Sequence, residues 1–538
     1  MDVPPRAFSR PELPLEIWTN VFRSFSHPWP NSCDEDLLSV LATNRYLRAA
    51  ASASCLWKPY YEARYTHSDP DNEKLREDQY GSDYKSLYFK RREIDYNALR
   101  LVDEIRTDLI GRNAKACILA KEFSFDIWDA LRLETRLALP LGFCYDPEKN
   151  GCPPPEPHAY PREYWASMMQ GVIARYWAIK MWQRVAKKDP AVSLEEMMCG
   201  FSAFFGLSHL QISEELDKCA DDCSDKLEEK NIQLDEEEQD HDLRAVCVGV
   251  IEYMEDELWV NNEENPHYDS HVLNSFPHIL LDTLWPDFPL SVLSKTWLFV
   301  SICQRLGYEA YAGRLSPDHT VGCVHSSSSQ EPLVIDFRDR APNIVWGSET
   351  TLFKHLIKSG TPRDKALRAF GPLPAVTFLG EAVRNIMHDL EEQYETGVRG
   401  WVCDMEETRM LVNYAARCAL AAGCSKLDDS CLIIPEGMAD SLPLDGQPIL
   451  LDALLGDKAA SPQFSTFVEE VKGKIRDMES IDARVRLRSQ ASDEAFKFCV
   501  GDVLRCVHDG HLGLVLGWDK QIQVGGESES YNLTMVTL

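Results

Sequence analysis

A histidine and an aspartate, His319 and Asp336, sit on two apolar runs, "HTVGCV" and "LVID", joined by a serine-rich turn. β-formers alternate or cluster in both runs, so the pattern predicts a hairpin that carries the two side chains on neighbouring strands. Such a pair is two members of a nucleophilic triad: the imidazole takes a proton from a thiol or hydroxyl, and the carboxylate orients the imidazole. The nucleophile is harder to find. The segment before the hairpin, "SVLSKTWLFVSICQRLG", reads as a helix stopped at Gly307. Its cysteine, Cys303, falls on the helical stripe of Trp297, Val300 and Leu306 and is expected to be a core residue. His319 and Asp336 are accordingly expected to bond each other and pin the hairpin, as buried polar groups must find partners.

The elements that position these residues belong to a chain of 538 residues, too long for one core, so several domains are expected. Hydrophobic content of 44%, with 13 Trp and 21 Phe, argues for packed domains over disorder. The formal net charge of −30 repels phosphate backbones and anionic membrane surfaces, which argues against electrostatic nucleic-acid binding. No apolar run is long enough for a transmembrane helix, and "MDVPPRAFSRPELP" lacks the apolar stretch of a secretory signal. The 17 cysteines are scattered and odd in number, which fits reduced thiols in the cytoplasm or nucleus. No cysteine and histidine quartet has zinc-site spacing, so neither metal nor cofactor is expected.

Along the chain, residues 11–65 repeat apolar positions at helical spacing: Leu15, Trp18, Val21 and Phe22, then Leu37, Leu38 and Leu41, then Leu47. Three short helices are expected there. So little chain makes a weak core, and several of these side chains call for a partner surface. Residues 85–145 read as amphipathic helices, and "GCPPPEPHAYP" as a loop. A long helix follows, with Trp165, Met169, Ile173, Tyr176, Trp177 and Met181 as a core stripe. Ser193 and Glu196 form a capping box for the next helix. The acidic stretch 219–242 is expected to be a solvated helix or an insertion loop. Helical pattern returns over 346–430, and the end of the chain alternates with glycines, as short strands with tight turns do.

Three stretches resemble known modules. Leu13, Pro14, Glu16, Ile17, Val21, Phe22, the Asp36-Leu37-Leu38 helix start and Leu56-Trp57 resemble an F-box, with a longer loop between its first two helices and Asn44-Arg45 at a position where a Cys-Arg type pair is usual. The resemblance implies that Leu13, Pro14, Leu15, Ile17, Trp18, Val21, Phe22, Leu37, Leu38, Leu41, Leu56 and Trp57 bind a Skp-type adaptor of cullin–RING ubiquitin ligases. Residues 160–345, through "SLEEMMCGF", "SVLSKTWLFVSICQRLGYEAYAGRLSPDHTV" and "LVIDFRDR", are similar to a SirB-type transglutaminase-like domain. That similarity places the nucleophile at Val292 to Ser294, where there is no cysteine. A degenerate triad of His319, Asp336 and Ser294 is therefore expected, with no catalysis. "GDVLRCVHDGHLGLVLGWD" resembles a YccV-type hemimethylated-DNA-binding domain through Gly501, Val503, Arg505, Gly510, Gly513, Val515, Gly517, Trp518 and Asp519. Cys506 stands where the family has His, and the sequence stops before the family's last strands. With Arg505, Lys497 and Lys520 as its local cations, the module is expected to contact protein rather than DNA.

In this order the three modules resemble the F-box only protein 21-like family. The expected fold is multidomain and mainly α: a three-helix F-box over 10–68, a helical linker over 85–150, a central α+β transglutaminase-like domain over 160–345, a helical region over 346–490, and a small C-terminal β-barrel over 496–538, shortened or incomplete. The implied function is that of a substrate receptor in a Skp/cullin/F-box ligase, partnered by adaptor, cullin and target proteins. The alternative is a transglutaminase-like or hydrolytic enzyme with an N-terminal docking module.

Overall fold

The computed structural model describes residues 13–23, 35–108, 110–137, 158–235, 241–258, 276–277, 291–316, 319–325, 331–338, 342–396, 406–423, 442–456, 460, 462–483, 503–505, 512–521 and 530–537. The N-terminal part contains four short helices: α1 (Leu15–Arg23), α2 (Glu35–Leu41), α3 (Arg45–Ala51) and α4 (Ser54–Arg64). The sequence pattern suggested three, with Leu47 in the third; the additional one is α4, beyond Ala53. Asn44 is extended, and its side chain accepts from Leu47 N at 2.9 Å, which starts α3 afresh. Ala53 is extended again before α4. The stretch expected as a longer inter-helix loop, between α1 and α2, lies outside the described residues.

These helices enclose a small core of Phe22, Leu37, Ala50, Ala51, Leu56, Trp57, Tyr61 and Tyr65, completed by Leu87 and Tyr88 from α6 (Tyr84–Thr107). Below it, a buried ionic network ties the N-terminal helices to the rest of the chain. Arg76 of α5 (Pro70–Tyr80) forks onto Asp126 with two contacts of 2.6 Å. Arg91, with no exposed surface, donates to the carbonyls of His67 and Asp126 at 2.8 Å and lies 4.5 Å from the centre of the Tyr65 ring.

The main core is one cluster that runs from Ala98 to Val471. It draws on α7 (Arg112–Ile118), α8 (Trp128–Glu134), α9 (Ala159–Ala186), α10 (Leu194–Ser202), α11 (His209–Glu229), α12 (Leu243–Asp256) and α13 (Val292–Arg305). On α9, Trp165, Met169, Ile173 and Met181 are buried, and Tyr176 and Trp177 lie at the margin. The capping box of Ser193 and Glu196 opens α10. Half of the acidic stretch turns out to be the outer face of α11, whose inner face buries Ile212, Leu216, Ala220, Cys223 and Leu227. At Gly307, φ of +95° lets the chain leave α13 in the left-handed region, and Tyr308 N closes the helix end on Cys303 O at 3.0 Å.

From there the chain enters an antiparallel sheet of order β1 (Glu309–Ser316), β2 (His319–His325), β3 (Leu333–Asp336) and β4 (Asn343–Trp346). Alternation gives each strand two faces. Gly322, Val324, Leu333 and Ile335 turn toward α13, where Phe299 lies against Gly322. Val321, Cys323 and Val334 turn the other way, onto Phe353 of α14 (Thr351–Lys358), Ala366 of α15 (Arg363–Leu367) and Phe370. Helices α16 (Ala375–Thr396) and α17 (Glu406–Gly423) and a π-helical segment (Gly446–Leu455) return to the main core, followed by α18 (Ser465–Asp482). The C-terminal strands β5 (Val503–Arg505), β6 (Leu512–Gln521) and β7 (Ser530–Thr537) form an antiparallel meander with a register shift between Val515 and Gly517. The described strands make an open sheet of three, with no pairing between β5 and β7 that would close it as a barrel. No described helix is long and apolar enough to cross a membrane.

Asp95 gives this architecture a pH signature. It is only 6% exposed, and burial holds its carboxyl up at about 6, against the opposing pull of Arg64 at 3.1 Å and Arg91. The folded chain thus binds this proton more tightly than the unfolded chain, so stability from this group falls as pH rises from about 4 to about 6. Asp95→Asn removes the cost. In urea denaturation the variant should gain about 1–2 kcal/mol more over the parent near pH 7.5 than near pH 5. An equal gain at both pH values would show that Asp95 titrates as an exposed carboxyl does.

Candidate functional site

His319 opens β2 and Asp336 closes β3, on adjacent strands. Their side chains meet at 2.9 Å, Nε2 to Oδ1, off the axis of a well-aligned hydrogen bond. His319 is 4% exposed. Burial pushes the Asp336 carboxyl up, but the His319 imidazole, together with the backbone N–H of Arg338 at 3.1 Å, outweighs it and leaves the carboxyl below its usual range. Arg338 adds a guanidinium contact at 3.4 Å. The two sequence-predicted residues therefore come together as a clasp at the end of the hairpin.

Strand alternation decides what that clasp can reach. Val321 lies two residues on from His319, and Val334 two before Asp336; both belong to the cluster over α14 and α15. His319 and Asp336 share that face. The α13 helix, with Ser294 in its first turn, packs on the opposite face. Ser294 is fully buried, and its hydroxyl is 2.9 Å from that of Ser291, the N-cap residue. Thr320, next to His319, points to the α13 side instead and donates to Glu381 Oε2 of α16 at 2.6 Å, where Arg314 of β1 also pairs with Glu381. Cys303 is fully buried, and that burial, with Cys247 and Cys223 near it, pushes its thiol well above the usual range. By alternation His319 shares the face of Val321 and Val334, whereas Val324 and Ile335 face α13. Of the three residues expected as a degenerate triad, His319 and Asp336 come together, and Ser294 stands in the first turn of α13 beside Ser291.

A triad-like geometry occurs elsewhere. His67 Nδ1 lies 3.1 Å from Asp129 Oδ1, and its Nε2 lies 2.9 Å from Ser208 Oγ. All three are buried, His67 and Ser208 at 1% exposure. Asp129 also accepts from Thr66 Oγ1 at 2.8 Å and from His67 N at 2.9 Å. Burial raises the Asp129 carboxyl, and these bonds, with the imidazole, bring it below its usual range. Ser208 caps α11 and accepts from Gln211 N at 3.1 Å. With Nδ1 donating to Asp129 and Ser208 donating to Nε2, every member has a partner. Ser208 is thus buried, and its oxygen already accepts from the helix cap. The constellation is an interlock that joins the chain after α4 to α8 and α11. Its members carry no common motif, because positions 67, 129 and 208 meet only in the fold.

The remaining site residues divide by exposure. Phe22, Leu37, Leu56 and Trp57 form the N-terminal core, and Trp18, Leu38 and Leu41 are half-buried against it. Leu13, Pro14, Leu15, Ile17 and Val21 are exposed. Arg505 is exposed on β5; Gly513, Gly517, Trp518 and Asp519 lie on β6, where Trp518 pairs with Leu533 of β7. Gly501 and Gly510 lie outside the described residues. The described cysteines are unpaired, and no described group of three His, Cys, Asp or Glu side chains has the arrangement of a metal site.

Replacing either histidine tests the structural role. His319→Ala should cost on the order of 1–3 kcal/mol in unfolding free energy, and His67→Ala at least as much, since it strips partners from both Asp129 and Ser208. A variant of either that keeps the parent's denaturation midpoint would show that its contacts carry no stability. No protein-family model, curated protein or solved structure matches the chain.

Proposed function

We propose that the chain is a substrate-receptor subunit of a Skp/cullin/F-box ubiquitin ligase, acting in the cytoplasm or nucleus to recruit target proteins for ubiquitination, with no chemistry of its own. The observation that carries this reading is the apolar surface of the first helix and the residues before it. Leu13, Leu15, Ile17 and Val21 are 49%, 38%, 45% and 40% exposed, although each is a large hydrophobic residue. Trp18 and Phe22, one turn apart on the stripe beside Ile17 and Val21, turn inward instead, and Phe22 at 5% exposure anchors the helix to its own core. Two apolar faces on one short helix suit an element that holds its module with one and a partner with the other.

The enzyme alternative draws less support. It needs a nucleophile on the face of the sheet that holds His319, and Ser294 and Cys303 both belong to the helix on the other face. Ubiquitin transfer would belong to other subunits, and no cofactor is required. The net charge of −30 favours protein targets over DNA for the C-terminal module.

Full burial of a leucine side chain is worth roughly 1.5–3 kcal/mol. Leu13→Ala combined with Pro14→Ala should weaken capture of a Skp-type adaptor by an order of magnitude or more, with the rest of the chain folded as before. Co-purification of adaptor at the parent's level would refute the receptor reading. Deleting from Phe496 onward should leave adaptor capture intact and abolish recruitment of some targets, as read by mass spectrometry of co-purified proteins. Loss of adaptor with that deletion, or salt-resistant binding of hemimethylated DNA by the full chain, would assign the C-terminal module a different role.

A further inference from the structure

A cleft of about 670 Å³ opens where the end of α9, the end of α13, the edge strand β1 and the start of α16 converge. The size is that of a ligand site. Val185, Val192, Leu194, Val300, Leu373 and Val376 give it apolar walls. The walls are fixed in place. Leu373 N donates to Ala312 O at 2.7 Å, and the Gln304 side chain donates to Ala310 O at 2.7 Å, so both flanking segments are tied to β1. Pro372 and Pro374 restrict the backbone on either side of Leu373. A cleft built this way needs little reorganisation to bind.

Charge at the rim is one-sided. Asp189 is held by Arg184 at 2.8 Å and accepts from Ala191 N at 3.0 Å, so its charge is already compensated. Lys188 is exposed, and among the described residues no carboxylate pairs with it. Its backbone is left-handed, φ +60°, at the end of α9, where Lys188 N bonds Val185 O and Asp189 N bonds Arg184 O. Glycine is the residue that position favours. A lysine there accepts backbone strain, and Lys188 is one of the residues that line the cleft. On the cleft side of the edge strand, Ala312 directs its N–H the same way as the carbonyl that Leu373 meets.

We propose that this cleft binds the carboxy-terminus of a target polypeptide, with the last apolar side chains between the α9, α13 and α16 walls and the terminal carboxylate at Lys188. The ligand class follows from the pairing of apolar walls with one uncompensated cation and with the backbone N–H of Ala312 at an edge strand. This rests on the receptor reading for its biological sense, but binding is measurable without adaptor, so the two stand or fall separately.

The test uses the full chain and a pool of fluorescein-labelled hexapeptides whose last two residues are drawn from Leu, Ile, Val and Phe. Free-acid peptides should bind in fluorescence anisotropy, and the same peptides as C-terminal amides at least tenfold more weakly. Lys188→Gln should bring the free acids down to the level of the amides, and Val376→Trp, which fills the cleft, should abolish binding of both, with each variant's melting temperature confirming its fold. No binding by the free-acid pool, equal binding of acid and amide, or unchanged binding by Lys188→Gln would overturn the proposal. So would displacement of the peptides by decanoate at lower concentration than by unlabelled free-acid peptide, which would assign the cleft to a fatty acid.

Discussion

A helix buried along much of its length must satisfy the polar side chains it turns inward, and α9 meets that constraint at Arg175. The guanidinium grips Asp445 in a fork, Nε to Oδ2 and Nη2 to Oδ1, both at 2.8 Å, across 270 positions of sequence. Arg175 is 3% exposed and Asp445 not at all. Desolvating two such ions costs several kcal/mol each, and only parallel, charge-assisted bonds of this geometry offset it. The fork also needs room. A Cβ on Gly171, one turn earlier, would lie 2.7 Å from Arg175 Nη1, so the absent side chain is what admits the guanidinium. Because a mispaired charge here is far more costly than a missing apolar contact, the fork fixes the segment at 442–455 against α9. The other polar groups follow suit: Trp182 Nε1 donates to Met197 O at 3.0 Å, and the Gln183 amide to Ala453 O. Helices α10 and α17 are held against the same axis.

The sheet obeys a second constraint, the two-residue period of a strand. Both faces of β2 are covered by helices, so a polar residue on either face has to find a partner there. His319 finds Asp336 on one side, and Thr320 finds Glu381 on the other. The hairpin end is therefore clasped twice, once per face. Gly313 contributes by omission: a Cβ there would sit 2.7 Å from Cys323 Sγ, so glycine lets β1 and β2 lie flat under Phe370. The His319–Asp336 pair, two members of a triad as read along the chain, forms with Thr320–Glu381 a polar contact on each face of the hairpin end.

Much of this was legible in the sequence where the signal is local. The stripe from Trp165 to Met181, the box of Ser193 and Glu196, the glycine stop at 307 and the pairing of His319 with Asp336 all follow from periods and caps within a few residues. The separation of α4 from α3 was less visible, because the extended residue between them, Ala53, carries no capping side chain to mark the break. The inner stripe of α11 was masked by the acidic residues of its outer face, although Ile212, Leu216 and Leu227 stand at helical spacing. What the sequence did not disclose was which face of the sheet α13 covers. That depends on the crossover from α13 into β1, and period-two alternation alone leaves it undetermined. The Ser208–His67–Asp129 interlock and the Arg175–Asp445 fork were hidden for a related reason: pairs formed between distant elements leave no spacing to read.

The charge balance separates what draws partners in from what selects them. A chain with 86 acidic and 56 basic residues has a long-range field that favours basic or neutral partners, attenuated over a Debye length of about 8 Å at physiological salt. The apolar face at Leu13, Leu15, Ile17 and Val21 contains no residue that could exploit that field, so binding there depends on shape and desolvation at contact. The cleft at β1 combines both ranges. A peptide with a basic body is attracted by the chain as a whole, whereas its terminal carboxylate is accepted only where Lys188 reverses the local sign. Opposite requirements on the two parts of one ligand exclude more sequences than either would alone, and a single lysine on an acidic surface is enough to impose them.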